Sequence, residues 1–428
     1  MKRIEPVGKP LRGEISVPGD KSIAHRAVIL ASVARGRSRI FNLSGGDDNS
    51  RTVKAFRQMG VEIFRDGDAL CVEGKGWEEM RAPKETIDCG NSGTTMRLLS
   101  GLLAGRPFRS VLDGDSSLRQ RPMQRVIDPL SLMGARIKSK GGNGLAPIEI
   151  EGGGLRGIDY RMPIASAQVK SAILLAALQA QGTTALEEPL KSRDHTEVML
   201  RGFGAELSMN CKGIVIAGGQ NLTGRDVRIP GDISSAAFFF VAAAMIPGSD
   251  VSVRSVGCNP TRDGVIHLLR QMGASIELSR ERSEAGEPVA DIRVVGGKLK
   301  GVDVGGKWAA RTIDEYPILA VAAALADGVT RFSDVKELRF KESDRIAAMT
   351  EGLRRLGVQV EEREDGMTIH GGNKLRGTQV RSFGDHRVAM SLAVAGLASA
   401  GGVEIDDAAC VDISFPGFFE LLGKICLH

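Results

Sequence analysis

Apolar positions along the chain fall into two helical patterns that take turns. The first is apolar on every side and rich in Ala and Leu: HRAVILASVARG (25–36), TMRLLSGLLAG (95–105), VKSAILLAALQA (169–180), SAAFFFVAAAMI (235–246), YPILAVAAALADG (316–328) and HRVAMSLAVAGLAS (386–399). A helix apolar all round and full of small residues is read as buried. The second pattern keeps its charges on one side, as in RTVKAFRQMG (51–60), RDHTEVMLRGFG (193–204) and SDRIAAMTEGLRRLG (343–357), and predicts a helix outside the first. These outer helices end on a tag of an apolar residue, Gly, then Ala or Val: Met59-Gly60-Val61, Met133-Gly134-Ala135, Phe203-Gly204-Ala205, Met272-Gly273-Ala274 and Leu356-Gly357-Val358. Glycine just past a last turn is a helix stop. Two alternating runs joined by a polar turn follow each tag, as in VEIFRDGDALCVEG and VQVEEREDGMTIHGG, where Asp-Gly marks a hairpin.

Successive tag glycines lie 74, 70, 69 and 84 residues apart, so a period near 70 divides the chain into six units of loop, buried helix, strand, surface helix and hairpin. The last copy (381–428) reaches PGFFELLGKI and stops without a hairpin. The orphan runs in RIEPVGKPLRGEISV (3–17) are the candidate for it. The chain ends are therefore expected to meet in one domain, with crossings near Pro18-Gly19-Asp20 and Pro230-Gly231-Asp232. That gives a three-repeat domain at 20–230 and a discontinuous one at 1–19 plus 231–428, joined by a two-strand hinge.

Composition narrows the classes. With 428 residues, 42% hydrophobic and 25% charged, the chain is globular and long enough for two or three domains. The longest apolar run, Ala236–Ile246, is well short of the roughly 18 residues that span a bilayer, so no membrane span is expected. Residues 1–13 have no apolar stretch behind their basic residues and do not read as a secretory signal. Six cysteines (Cys71, Cys89, Cys211, Cys258, Cys410, Cys426) are scattered singly among six histidines, a pattern of neither disulfides nor zinc, which suits a reducing cytoplasm. A formal charge of +5 fits small anionic substrates or nucleic acid. An aromatic content of 4% is poor supply for base stacking, which argues against nucleic acid.

Chemistry is expected where each buried helix opens. The loops read VPGDKSIAHR (17–26), CGNSGTTMR (89–97), PIASAQVKS (163–171), IPGDISS (229–235), RTIDEYP (311–317) and SFGDHR (382–387). Helix N-termini present N–H groups and partial positive charge, and so bind phosphate and carboxylate. Gly90-Asn91-Ser92-Gly93-Thr94-Thr95 lacks the GK[ST] ending of a nucleoside-triphosphate loop. Arg26, Arg97 and Arg387 stand near helix starts, the wrong end for a cation unless an anion lies between; Arg97 is the weakest of the three. Arg119-Gln120-Arg121-Pro122-Met123 and Lys341-Glu342-Ser343-Asp344-Arg345 add further cations near helix starts. Glu342 and Arg345 also fit a plain surface ion pair, and His195 and His386, each after an aspartate, read as structural.

Taken in order, PGDKSIAHR, GNSGTTMR, RQRPM, ASAQVKSA, IDEYP, KESDR and DHR resemble the 3-phosphoshikimate 1-carboxyvinyltransferases, or EPSP synthases, over essentially the whole chain. The resemblance implies an α/β fold of α+β type: two similar domains, each of three βαβαββ repeats with buried and outer parallel helices, the inverse barrel shared with RNA cyclases. It implies transfer of the carboxyvinyl group of phosphoenolpyruvate to the 5-hydroxyl of shikimate 3-phosphate by addition and elimination through a tetrahedral intermediate, with domain closure during turnover. It also implies these site residues. Lys21, Ser22, Arg26, Ser166, Ala167, Gln168, Arg193, Asp314 and Lys341 match positions around shikimate 3-phosphate; Lys21, Gly93, Arg121, Gln168, Arg345 and Arg387 match those around phosphoenolpyruvate. Asp314 matches the base at the hydroxyl, and Glu342, with Lys21, the group handling the methylene proton; which of these two acts stays open. The other family branch carries a pocket lysine where this chain has Ile413, so that position is left out. Gly93 stands where inhibitor-insensitive members carry alanine, which suggests sensitivity to glyphosate.

Two rivals share the fold. UDP-N-acetylglucosamine enolpyruvyl transferases carry a loop cysteine in many members, and VLDGDSSLRQRPMQR (111–125) has none. RNA-binding, cyclase-like proteins would show a basic stripe and aromatic supply. The expectation is a cytoplasmic monomer acting on two small anions, with no nucleic acid, membrane, metal or organic cofactor.

Overall fold

The computed structural model describes residues 1–210 and 213–427; Cys211 lies outside them. The chain divides into two compact units, one made of 21–229 with 284–287 and the other of 1–20, 230–283 and 288–428. Each has its own hydrophobic core.

In the first unit three pairs of helices follow in order: α1 (Lys21–Val33) and α2 (Asp47–Gln58), α3 (Gly93–Ala104) and α4 (Gln124–Leu132), α5 (Ala167–Ala177) and α6 (His195–Gly202). The second unit continues with α7 (Ile233–Met245), α8 (Gly264–Gln271), a short α9 (Lys307–Thr312), α10 (Tyr316–Leu325), α11 (Arg345–Arg355), α12 (His386–Leu397) and α13 (Phe418–Cys426). The six helices read as buried are α1, α3, α5, α7, α10 and α12, and every residue of α7 is buried. Small residues let them approach: a Cβ on Gly101 of α3 would land on the backbone of Ala172 in α5. The tag glycines 60, 134, 204, 273 and 357 all have φ between +88° and +101°, the left-handed conformation that stops the outer helices.

The hairpins fall where the alternating runs put them, for example Glu62–Asp66 with Ala69–Lys75 and Gln359–Arg363 with Gly366–His370. Each packs into a small sheet; among the described residues five sheets have four strands and one has three. The expected repeat of helix, strand, helix and hairpin is thus the observed one. Among the described residues no helix is long and apolar enough to cross a membrane.

One expectation is corrected. The N-terminal runs do not form the missing sixth hairpin. Strand Lys2–Ile4 pairs antiparallel with Ser399–Ile405 and completes the three-stranded sheet, while Arg12–Ser16 runs parallel to Asp250–Gly257 in a different sheet. The reason lies in the crossings. Strand Val227–Arg228, which leads into the Pro230 crossing, pairs parallel with Arg35–Phe41 of the unit the chain is leaving, and Arg12–Ser16 likewise stays in its own unit before the Pro18 crossing. Each crossing strand thus completes a sheet of the unit it leaves. The crossings meet as an antiparallel pair, with Asp20 N donating to Pro230 O at 2.8 Å and Asp232 N to Pro18 O at 2.9 Å.

Candidate active site

Caps place the loops. Ser92, Ser166, Asp232 and Asp385 each accept a backbone N–H at the start of α3, α5, α7 and α12, so these polar residues serve as N-caps. Each first turn also presents N–H groups that have no intrahelical partner.

In the 21–229 unit the openings of α1, α3 and α5 are tied together by hydrogen bonds. Arg26, buried on α1, donates to Thr196 Oγ1 at 2.6 Å, Ser171 Oγ at 2.7 Å and the Ser22 carbonyl at 2.8 Å. Arg97 on α3 donates to Gln168 Oε1 at the start of α5, and Gln168 Nε2 donates to Thr94 Oγ1 at 3.0 Å. Arg121 is held by Asn91 and by Ser117 Oγ at 3.3 Å. Each of these three guanidinium groups donates to hydroxyl, amide or carbonyl oxygens, which fix its orientation. A Cβ on Gly93 would crowd Arg97 Nη1 at 2.8 Å and touch Arg121 Nη1 at 3.5 Å. Lys21 Nζ lies 3.1 Å from Asp48 Oδ2. Ser166 caps α5, Ala167 begins it, and Arg193 stands partly buried in the loop before α6.

In the other unit the predicted residues gather around a different kind of centre. Arg345, 1% exposed, donates to Asp385 Oδ2 at 2.8 Å, to Glu342 Oε2 at 2.7 Å and toward Asp314 Oδ1 at 3.5 Å. Arg387 donates to the Asp314 carbonyl at 3.1 Å. Burial opposes the charge of Arg345, but Asp385, Glu342 and Asp314 outweigh it and hold the guanidinium pKa raised. Burial likewise works against ionised Asp385, and Arg345 holds its pKa below the usual carboxylate range. Burial pushes the Lys341 ammonium down from the ordinary lysine value, with Asp314 pulling the other way.

Apart from Arg193, in the loop before the outer helix α6, the sequence-predicted residues sit at or beside the opening of an inner helix or at the start of α11. Ile413 closes a short 3-10 helix and is partly buried against the core. Sequence reasoning missed Asp48, Thr196 and Ser171, which position Lys21 and Arg26. The aspartate before His386, Asp385, both caps α12 and accepts from Arg345. His195 is buried with Nδ1 2.8 Å from Glu287 Oε1, a structural pair. Arg97, the weakest of the cations near helix starts, donates to Gln168 Oε1 at the opening of α5.

Comparison with known proteins gives the arrangement its family. A family model described as EPSP synthase (3-phosphoshikimate 1-carboxyvinyltransferase) matches residues 6–422. The chain is 52% identical over 417 residues to the 3-phosphoshikimate 1-carboxyvinyltransferase of Geobacter metallireducens, covering 97% of each. It is 51% identical over 426 residues to that of Syntrophotalea carbinolica, covering 99% of each. Among solved structures, EPSP synthase from Acinetobacter baumannii matches with a TM-score of 0.89 at 44% identity, over 99% of this chain and 97% of that one. The enolpyruvyl transferase NikO from Streptomyces tendae matches with a TM-score of 0.78 at 18% identity, over 99% and 96%, a likeness of fold alone. A match over nearly the full length, with half of the residues identical, shows that this chain belongs to the EPSP synthase family.

Proposed function

We propose that this chain transfers the carboxyvinyl group of phosphoenolpyruvate to the 5-hydroxyl of shikimate 3-phosphate, releasing inorganic phosphate. The observation that carries the reading is the near-full-length family match joined to the clustering of the matched residues at the helix openings.

The cationic set of Lys21, Arg26, Arg121 and Arg193, with Ser22, Ser166, Ala167 and Gln168, holds anionic groups of the two substrates. Lys341 and Asp314 add contacts to shikimate 3-phosphate; Arg345 and Arg387 add contacts to phosphoenolpyruvate. Asp314 takes the proton of the 5-hydroxyl as its oxygen bonds to C2 of phosphoenolpyruvate, and the methylene carbon gains a proton to become a methyl group. The tetrahedral intermediate then loses phosphate from C2 and a methyl proton, restoring the double bond. Glu342 or Lys21 delivers and removes that proton. The chain works as a cytoplasmic monomer on small molecules without a cofactor, and Gly93 leaves it sensitive to glyphosate.

The test is phosphate release from purified protein with both substrates, beside Glu342→Ala and a parallel reaction with UDP-N-acetylglucosamine. Release with shikimate 3-phosphate alone, greatly reduced in the variant, supports the reading. Release with UDP-N-acetylglucosamine alone, or none with either acceptor from folded protein, contradicts it.

A further inference from the structure

Next to the predicted site, in the unit that holds both chain ends, lies a buried ionic network that the reaction chemistry does not use. Its centre is Arg262, whose side chain is 3% exposed. The guanidinium donates to Ser234 Oγ at 2.5 Å and lies 3.4 Å from Asp20 Oδ2, 3.5 Å from Asp232 Oδ1 and 3.7 Å from Glu315 Oε1. Ser234 Oγ in turn donates to Glu315 Oε1. Asp20 and Asp232 belong to the two crossings, and Glu315 follows Asp314 in the chain.

The next two residues hold the same segment from its other side. Asp263 accepts from the Arg311 guanidinium. A Cβ on Gly264 would crowd the Thr312 methyl and come within 3.2 Å of Arg311 Cβ and its carbonyl oxygen, so glycine is required for the close approach. The loop carrying the three residues is itself pinned: Asn259 Oδ1 accepts from Thr261 N at 2.8 Å and from Thr261 Oγ1 at 2.7 Å, and Arg262 N donates to Asn259 O at 2.8 Å. Three consecutive side-chain positions thus grip residues 311, 312 and 315, and Asp314 lies inside the gripped stretch.

We propose that Arg262-Asp263-Gly264 is the positioning element of Asp314, and that through Asp20 and Asp232 it ties the placement of that carboxylate to the two chain crossings. The inference rests on Asp314 being the base at the hydroxyl. A guanidinium serves here because its planar fork reaches several oxygens at fixed angles, which an ammonium cannot. Asp314 must be held close to the attacking hydroxyl for proton removal, and a misplacement of about 1 Å costs on the order of 100-fold in rate. The Arg262 side chain is 3% exposed and faces protein carboxylates, so its loss should act on turnover rather than on binding.

The experiment compares Arg262→Ala, Arg262→Lys, Gly264→Ala and Asp314→Asn in steady-state phosphate release, each normalised to folded protein by its melting curve. Arg262→Ala should lose about 100-fold in kcat with both KM values within about threefold, and added guanidinium ion should restore at least about tenfold of the loss. Arg262→Lys keeps the charge without the fork and should recover only part of the rate. Where Arg262→Ala fails to fold, Arg262→Lys and Gly264→Ala carry the test, since Gly264→Ala displaces residues 311–312 without altering a charge. Unchanged kcat in the folded Arg262 and Gly264 variants, beside a large loss in Asp314→Asn, overturns the positioning role alone. Full activity in Asp314→Asn overturns both the base assignment and this proposal. A loss in which both KM values rise in parallel, with no rescue by guanidinium, also overturns it.

Discussion

The two units repeat one plan, yet they treat their arginines differently. In the 21–229 unit, Arg26, Arg97 and Arg121 donate to side-chain oxygens of Thr196, Ser171, Gln168 and Asn91, which are hydroxyls and amides. In the other, Arg345 is surrounded by Asp385, Glu342 and Asp314, and Arg262 by Asp20, Asp232 and Glu315. There the guanidinium groups steady carboxylates. The same repeat thus aims these guanidinium groups at hydroxyl and amide oxygens in one unit and at carboxylates in the other. The difference is made by which residue types face each guanidinium, since both units share the order of helices, strands and hairpins.

This division predicts a graded set of outcomes. The largest effects should come from the proton-moving side. Asp314→Asn or Glu342→Gln should lower kcat by roughly 100- to 10,000-fold, the range for loss of a general acid or base, with little change in KM. Equal losses in kcat and substrate affinity would blur the comparison.

Removing Arg26 acts on the other side. Arg26→Ala should weaken shikimate 3-phosphate by roughly 10- to 100-fold, as expected when a charge-assisted contact worth about 1.5–3 kcal/mol is lost and Thr196 and Ser171 lose a partner. Direct titration with shikimate 3-phosphate reads this; an unchanged affinity places the anion elsewhere.

A smaller effect tests the close approach at Gly93. In Gly93→Ala the added methyl meets Arg97 and Arg121, and should raise KM for phosphoenolpyruvate about tenfold, near the lower end of what one carbon does in a fitted pocket. Inhibition by glyphosate should fall at least as much. A variant with unaltered KM and inhibition would show that the pocket does not reach Gly93.

The mildest prediction concerns pH. Burial lowers the Lys341 pKa, so its positive charge disappears as pH rises at a lower value than for a free lysine. Shikimate 3-phosphate affinity should therefore decline on the alkaline side before the ordinary lysine range, and Lys341→Arg should abolish that limb, because arginine stays charged. An alkaline limb identical in both proteins would assign it to another group.

Much of the fold was legible because its signals are local. Met59-Gly60-Val61 and its four echoes set the period, and an apolar helix such as SAAFFFVAAAMI can only be buried. The fate of residues 3–17 was not legible, because alternation marks a strand without naming its neighbour. Lys2–Ile4 and Arg12–Ser16 pair with strands about 400 and 240 residues away. The same holds for the site. The openings of the inner helices pointed to Arg26, Arg97 and Arg387 through their cations, and the family resemblance added Lys21 and Gln168. Asp48, Thr196 and the Arg262 network act through partners distant in sequence, and only the fold brings them together. Arg262 in particular looks like a surface arginine in NPTRDG, although it is 2% exposed.

The measurement that bears most directly on the division between the units is the equilibrium affinity of Glu342→Gln for shikimate 3-phosphate, taken beside its turnover. An affinity within about threefold of the parent, with kcat lowered at least about 100-fold, is the result expected when proton transfer and anion binding reside on different groups. A Kd that weakens in step with kcat would contradict it, because Glu342 would then be holding the substrate as well as moving its proton.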